Sequence, residues 1–258
     1  MKRAALFTAL MLSLSACAVT DSAGLNAESA NEYRGMVAAA AKKGQVDTQS
    51  VTAKRVHTVF RRLVPHADAA NRTGHPFQWE MTVFRDNELN AWAMPGGKMA
   101  VYTGIVEKLK LNDDEIAAIV GHEMTHALLE HTKKESNRNF GIGLAAQIGS
   151  GILQATTGVD GNLIDTGLGL AVNLGLDKPF SRDAEREADI GGMRLMAQAG
   201  YNPEAAVTVW QKMNRLSNNN DVFTKILSTH PTNNERIRNL QNELPKVMPL
   251  YRQSIGAK

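Results

Sequence analysis

His122-Glu123-Met124-Thr125-His126 is the stretch of this chain whose residue types and spacing could do chemistry. On a helix, residues four apart lie about 40° apart around the axis, so the two imidazoles stack on one face. Two neutral imidazoles placed in this way can clamp one metal ion. Glu123 falls between them, where its carboxylate can reach a water on that metal. Zinc held by two imidazoles and a carboxylate, with one position open, makes a hydrolytic site. The metal acidifies its water and polarises a scissile carbonyl, while the glutamate takes the proton and hands it on. An HExxH also arises by chance, so the surroundings must decide. Ile116, Ala117, Ile119, Val120, Ala127 and Leu128 would bury most of a helix here. A buried helix bearing His, Glu and His unpartnered would carry a large desolvation cost. Asn112 with Glu115 three residues on reads as a capping box, and Asp113, Asp114 and Glu115 put acids in the first turn.

The elements that must position this helix come from a chain of 258 residues, 43% hydrophobic and 21% charged, enough for one good-sized core. Formal net charge is +3; removing Lys2 and Arg3 from the 29 basic side chains leaves 27 against 26 acidic ones. With no long basic run either, the charge points away from nucleic acid.

Lys2 and Arg3 open a short positive start, and Ala4 to Leu14 is an apolar run too short to span a bilayer comfortably. Leu14-Ser15-Ala16-Cys17 resembles a bacterial lipoprotein signal, in which the Cys is lipidated and becomes the first mature residue. Residues 1–16 are thus expected to be a signal peptide, and 17–29, small and polar, a lipidated tether. Cys17 is the sole cysteine, so an internal disulfide is impossible. A plain signal peptide with a leftover Cys is the alternative. Ala18 after the Cys, where Asp would suggest the inner membrane, favours the outer membrane by the same resemblance. Acyl chains anchor without a transmembrane helix.

A weak helical pattern runs from Ala30 to Gln49. A stronger one follows from Val51 to Leu63, which Pro65 is expected to end. Phe77 to Phe84 alternates as a strand. Asn90 to Lys98, then Met99 to Gly104, read as two short strands around a Pro95-Gly96-Gly97 turn. Pro95 cannot donate to a ladder, so this hairpin belongs at a sheet edge. Such an edge could pair with an extended substrate, or only pack under the metal helix.

Asn90-Ala91-Trp92-Ala93-Met94-Pro95-Gly96-Gly97, then Tyr102-Thr103-Gly104, then the HExxH resembles the HtpX-like and CAAX-prenyl-protease-type zinc metallopeptidases, which are gluzincins. The small lipoprotein form resembles their bacterial BepA and LoiP branch, and the likeness covers roughly 77–240. Two imidazoles need a third protein ligand. Glu185 and Asp189 share a helix face at i and i+4. The family's Glu-x-x-Ala-Asp maps onto Glu185-Arg186-Glu187-Ala188-Asp189. The resemblance implies that Glu185 is the zinc ligand and that Asp189 orients a ligand histidine. It also implies a His-Pro near the metal, here His230-Pro231. His230 could donate to the oxyanion of the tetrahedral intermediate, latch the open metal position, or simply start a helix.

Asn139 to Val159 carries no charged side chain, and the Gly-rich character continues to Leu176. A movable flap over the cleft and a membrane-inserted segment are the alternatives for 139–176, the glycines favouring the flap. Ser181 or Asp183 is expected to cap the helix that Gly200 ends. Pro203 should open the next helix, and Thr232 with Glu235 should cap a last one through Leu240. His131 follows His122 by nine residues, which puts it on the opposite side of a continuous helix. It is read, with His57, His66 and His75, as a surface or packing residue.

The expected fold is α+β and predominantly α-helical, a gluzincin-like domain over 30–250 with a small antiparallel sheet flanking the HExxH helix. The expected activity is that of a zinc endopeptidase with one Zn2+ per chain on His122, His126 and Glu185. Glu123 would activate water and His230 assist. By resemblance its substrates are misfolded or unassembled envelope proteins. It would face the periplasm, with outer-membrane assembly components as possible partners. The alternative is a latent, metal-bearing chaperone or scaffold for outer-membrane proteins.

Overall fold

The computed structural model describes residues 21–138, 179–217, 225–231 and 234–257. Cys17, the segments read as signal peptide and flap, and Thr232 lie outside them. The elements are α1 (Ser22–Lys42), α2 (Val51–Ala70), β1 (Glu80–Phe84), β2 (Ala91–Met94), β3 (Lys98–Tyr102), α3 (Thr103–Lys108), α4 (Asp113–Leu128), α5 (Arg182–Gln198), α6 (Glu204–Ser217), α7 (Lys225–Thr229) and α8 (Asn234–Ser254). This is the α+β, mostly helical fold expected. No helix among the described residues is long and apolar enough to cross a membrane.

Apolar spacing makes α4 the centre. Its buried run from Glu115 to Leu128 leaves no solvent face, so α2, α5, α6 and β2 must all pack on it. The α4–α5 crossing depends on small residues. A Cβ added at Gly192 would stand 2.7 Å from His122 N and 2.9 Å from the Gly121 carbonyl carbon. Close backbone approach there brings the first two turns of α5 against the HExxH residues.

The sheet order is β1-β3-β2. It is mixed rather than wholly antiparallel: β2 and β3 form the expected hairpin, while β1 lies parallel to β3. Gly96 and Gly97 turn the hairpin with φ of 77° and 84°, a region other residues avoid. One sheet face meets the main core through Met81, Val83, Ala91, Ala93, Met99 and Val101. The other is covered by α1, whose Leu25 and Tyr33 pack with Phe84, Trp92, Met94 and Ala100. The Tyr33 hydroxyl donates to Met99 O over 3.1 Å and lies 2.6 Å from Thr82 Oγ1. Burial pushes its pKa up to about 12.

Three expectations are corrected here. Residues 22–29, read as tether, are the first two turns of α1, capped by Asp21 accepting from Gly24 N at 2.7 Å. Burying Leu25 there contributes roughly 1.5–3 kcal/mol, which a polar composition count does not register. Pro65 does not end α2, which continues to Ala70. Pro65 is exposed, so the carbonyl it leaves unpaired can face water, and the apolar face runs on through Leu63 to Ala67. The last helix likewise passes Leu240, Pro245 and Pro249 to end at Ser254, held by buried Ile237, Leu240 and Val247.

Candidate metal centre

Helix α4 is fixed at its start before it offers any ligand. Asn112 accepts from Glu115 N at 2.8 Å, and Glu115 accepts from Asn112 N at 2.9 Å, the reciprocal cap expected. Lys212 of α6 holds the buried Glu115 at 2.7 Å. Arg55 of α2 holds Asp113 at 2.7 Å. Two turns on, His122 Nε2 and His126 Nε2 stand 3.1 Å apart.

α5, capped by Ser181, delivers Glu185 to the same point. Its Oε1 is 3.3 Å from His126 Nε2, and its Oε2 is 3.6 Å from His122 Nε2. His230, at the end of α7, brings Nδ1 to 3.3 Å from His122 Nε2 and 2.8 Å from Glu185 Oε1. Donor atoms of these four buried residues all lie within 4.8 Å of one another. Four donors about 2.0–2.1 Å from one ion sit about 3.3 Å apart at tetrahedral corners, and the separations given above run from 2.8 to 3.6 Å.

The chemistry of the donor set fits a dication. Glu123, Glu185 and Asp189 are three buried carboxyl groups gathered around Arg236 and His230. Two imidazoles of one helix with a buried carboxylate oxygen beside them make the nitrogen and oxygen donor set that zinc takes. Glu123 Oε1 is buried yet accepts no hydrogen bond among the described residues, while Glu185 Oε2 is met by Arg236 Nη1.

Different devices hold the two imidazoles of α4. His122 Nδ1 is 3.0 Å from Asp189 Oδ1. Asp189 is gripped in turn by Arg236, at 2.6 Å from Nε and 2.8 Å from Nη2. Arg236 Nη1 also reaches Glu185 at 2.5 Å, and the guanidinium lies 3.5 Å over the Trp210 ring. His126 Nδ1 instead meets His131 Nδ1 at 2.9 Å. His131 Nε2 then reaches the half-exposed Glu187 at 3.1 Å. Phe180 stacks on His126, ring centres 4.1 Å apart.

Protonation follows from these surroundings. Burial raises the pKa of Glu123, against the pull of His230 and His122. Burial pushes the same way on Glu185, but His230 and Arg236 outweigh it and hold this carboxyl well below the usual carboxylate range. Burial also pushes Asp189 up, but Arg236 and the contact with His122 outweigh it and leave this carboxyl lowered. Burial drives His126 well below the ordinary imidazole value, which keeps it neutral. Burial lowers His230 too, but the carboxylates of Glu185 and Glu123 prevail and leave it raised.

Of the residues singled out in the sequence, His122, Glu123, His126, Glu185, Asp189 and His230 come together here. His57, His66 and His75 lie elsewhere. His131 is corrected: it is no bystander on the far side of the helix. α4 ends at Leu128, and Glu130 adopts a left-handed φ of 52° before helical residues 131–138. That kink swings the His131 ring back onto His126. Arg236 was missed altogether, for in sequence it is one more charge on an amphipathic helix. A basic residue five positions after His230-Pro231 was the available signal.

Two imidazoles one helical turn apart, a glutamate between them and a carboxylate from a second helix make a candidate metal centre of the metallopeptidase type. The chain belongs to peptidase family M48, whose pattern matches residues 50–244. It is 34% identical over 193 residues to the mitochondrial metalloendopeptidase OMA1 of Schizosaccharomyces pombe, covering 74% of this chain and 52% of that protein. It is 28% identical to the metalloprotease YcaL of Escherichia coli K12, covering 86% of both. It is 24% identical to the Beta-barrel assembly-enhancing protease of the same strain, covering 77% of this chain and 40% of that protein. The chain thus spans about half the length of the OMA1 protein it matches.

Proposed function

We propose a zinc-dependent endopeptidase of the bacterial cell envelope, with His122, His126 and Glu185 as metal ligands and Glu123 as general base. The observation that carries it is the convergence of His122 Nε2, His126 Nε2 and the Glu185 carboxylate within 3.1–3.6 Å of one another beside an unbonded Glu123 oxygen. When bound, the ion supplies Lewis-acid chemistry, polarising the scissile carbonyl and acidifying water. Glu123, its pKa raised by burial, is suited to take a proton and return it to the leaving amine. Glu185, held ionised, and His126, held neutral, are in the forms a ligand needs. Asp189 orients His122.

The edge strand β2 supports the reading of an extended substrate. Tyr102 N donates to Asn90 O, so by antiparallel alternation Ala91 and Ala93 turn their backbone groups outward. Ala93 and Pro95 share a narrow crevice with His126. Among the described residues no strand pairs with that edge. Lipidation at Cys17, a periplasm-facing outer-membrane location and misfolded or unassembled envelope proteins as substrates complete the proposal. They lean on the motif at residues 14–17 and on the bacterial relatives. Glu123→Gln tests the chemistry: wild type cleaves unfolded casein and the variant does not. Equal cleavage would sink the reading. Cys17→Ser moving the protein to the soluble fraction tests the anchor.

One observation favours a second reading. His230 Nδ1 occupies the fourth corner, and its Nε2 lies 3.4 Å from Glu123 Oε1. A site closed by its own histidine is latent, and the protein would serve as a metal-bearing chaperone or assembly scaffold while the latch is shut. Under this reading His230→Ala raises basal casein cleavage. An oxyanion donor predicts the opposite, a loss of about 10²–10³-fold.

A further inference from the structure

We propose that His131 is a positioning residue of the metal centre, accepting the Nδ1–H of His126 and thereby fixing that ring with Nε2 toward the ion. The inference rests on the reading of His126 as a ligand. The hydrogen bonds then admit one assignment. A His126 Nε2 lone pair committed to metal leaves the ring proton on Nδ1, which faces His131 Nδ1 at 2.9 Å. His131 Nδ1 must therefore be the acceptor, and its own proton sits on Nε2. That nitrogen points at Glu187 Oε2, 3.1 Å away, an acceptor. Each tautomer dictates the next, from a half-exposed carboxylate to the metal.

Burial gives the link its weight. His131 is 2% exposed, and so is His126. No water replaces the lost acceptor readily there, and an unpaired buried N–H is costly. Phe180 stacked on His126 restricts the ring's plane but supplies no acceptor. A neutral imidazole in this role is the counterpart of Asp189 behind His122.

The test is zinc affinity, read by competition with a chromophoric chelator, for full-length wild type, H131A, H131L and H131N. Zinc binding should weaken about 10–100-fold in H131A and H131L, the range seen when such a supporting partner is removed. H131N should retain most of the affinity, because an amide oxygen can accept near the place of Nδ1. Equal affinity in all four overturns the inference. So does H131N falling with H131L, which would mean the residue only fills space. Wild type that binds no zinc would sink the ligand reading itself. If H131A and H131L do not fold, E187L takes their place: it cuts the outer link at a half-exposed side chain. Several-fold weaker zinc binding is then expected, and unchanged affinity overturns the inference.

Discussion

The two flanks of the candidate metal centre do the same job with opposite materials. Behind His122 stands a full charge pair, Asp189 clasped by Arg236, sealed under Trp210 and also tied to Glu185. Behind His126 stands a chain of neutral rings that reaches a half-exposed carboxylate at Glu187. The first flank is bound up with the fold, because its charges have no solvent to fall back on. The second is light, because its outer end is already wet. Damage to the first should appear as lost stability, and damage to the second as lost metal affinity.

The largest expected effect lies on the His122 flank. Arg236→Met leaves Asp189 and Glu185 buried without their cation and should cost about 3–5 kcal/mol of stability in metal-free protein, read by urea unfolding. Arg236→Lys should restore little, since an ammonium cannot reproduce the fork that grips Asp189. A loss under 1 kcal/mol would erase the contrast between flanks. Gly192→Ala comes next. Its methyl would press on His122 N and the Gly121 backbone. Overpacking of this kind costs about 1–3 kcal/mol, and α5 would withdraw Glu185 and Asp189 together. Weakened zinc binding should accompany the lost stability. Unchanged zinc affinity would show that the crossing does not set the site. The smallest effect is Glu187→Gln, which keeps an acceptor for His131 at a half-exposed position. Stability should stay within about 0.5 kcal/mol, and a larger drop in thermal melting would show this flank to be structural after all.

Much of the centre could be read before the coordinates, because its parts are local. The capping box at Asn112 and the i, i+4 spacing of His122 with His126 and of Glu185 with Asp189 are each properties of one helix. The Pro95-Gly96-Gly97 turn is equally local. What escaped depends on where separate elements meet. Arg236 reaches Asp189 across 47 residues of chain. His131 depends on a single left-handed residue, Glu130, for which non-glycine sequence gives no warning. The glycines at 121 and 192 look like weak points of helices until α4 and α5 are laid together. The parallel pairing of β1 with β3 needs the hairpin's second strand to slide between its neighbours. The first turns of α1 look like a tether until a sheet face is there to cover.

The central claim is that α4 and α5 share one ion. Metal analysis of purified wild type and Glu185→Gln, each shown folded by circular dichroism, tests it most directly. One equivalent of zinc in the wild type, with most of it lost from the variant, is the predicted result. A variant that keeps the full equivalent would contradict the account.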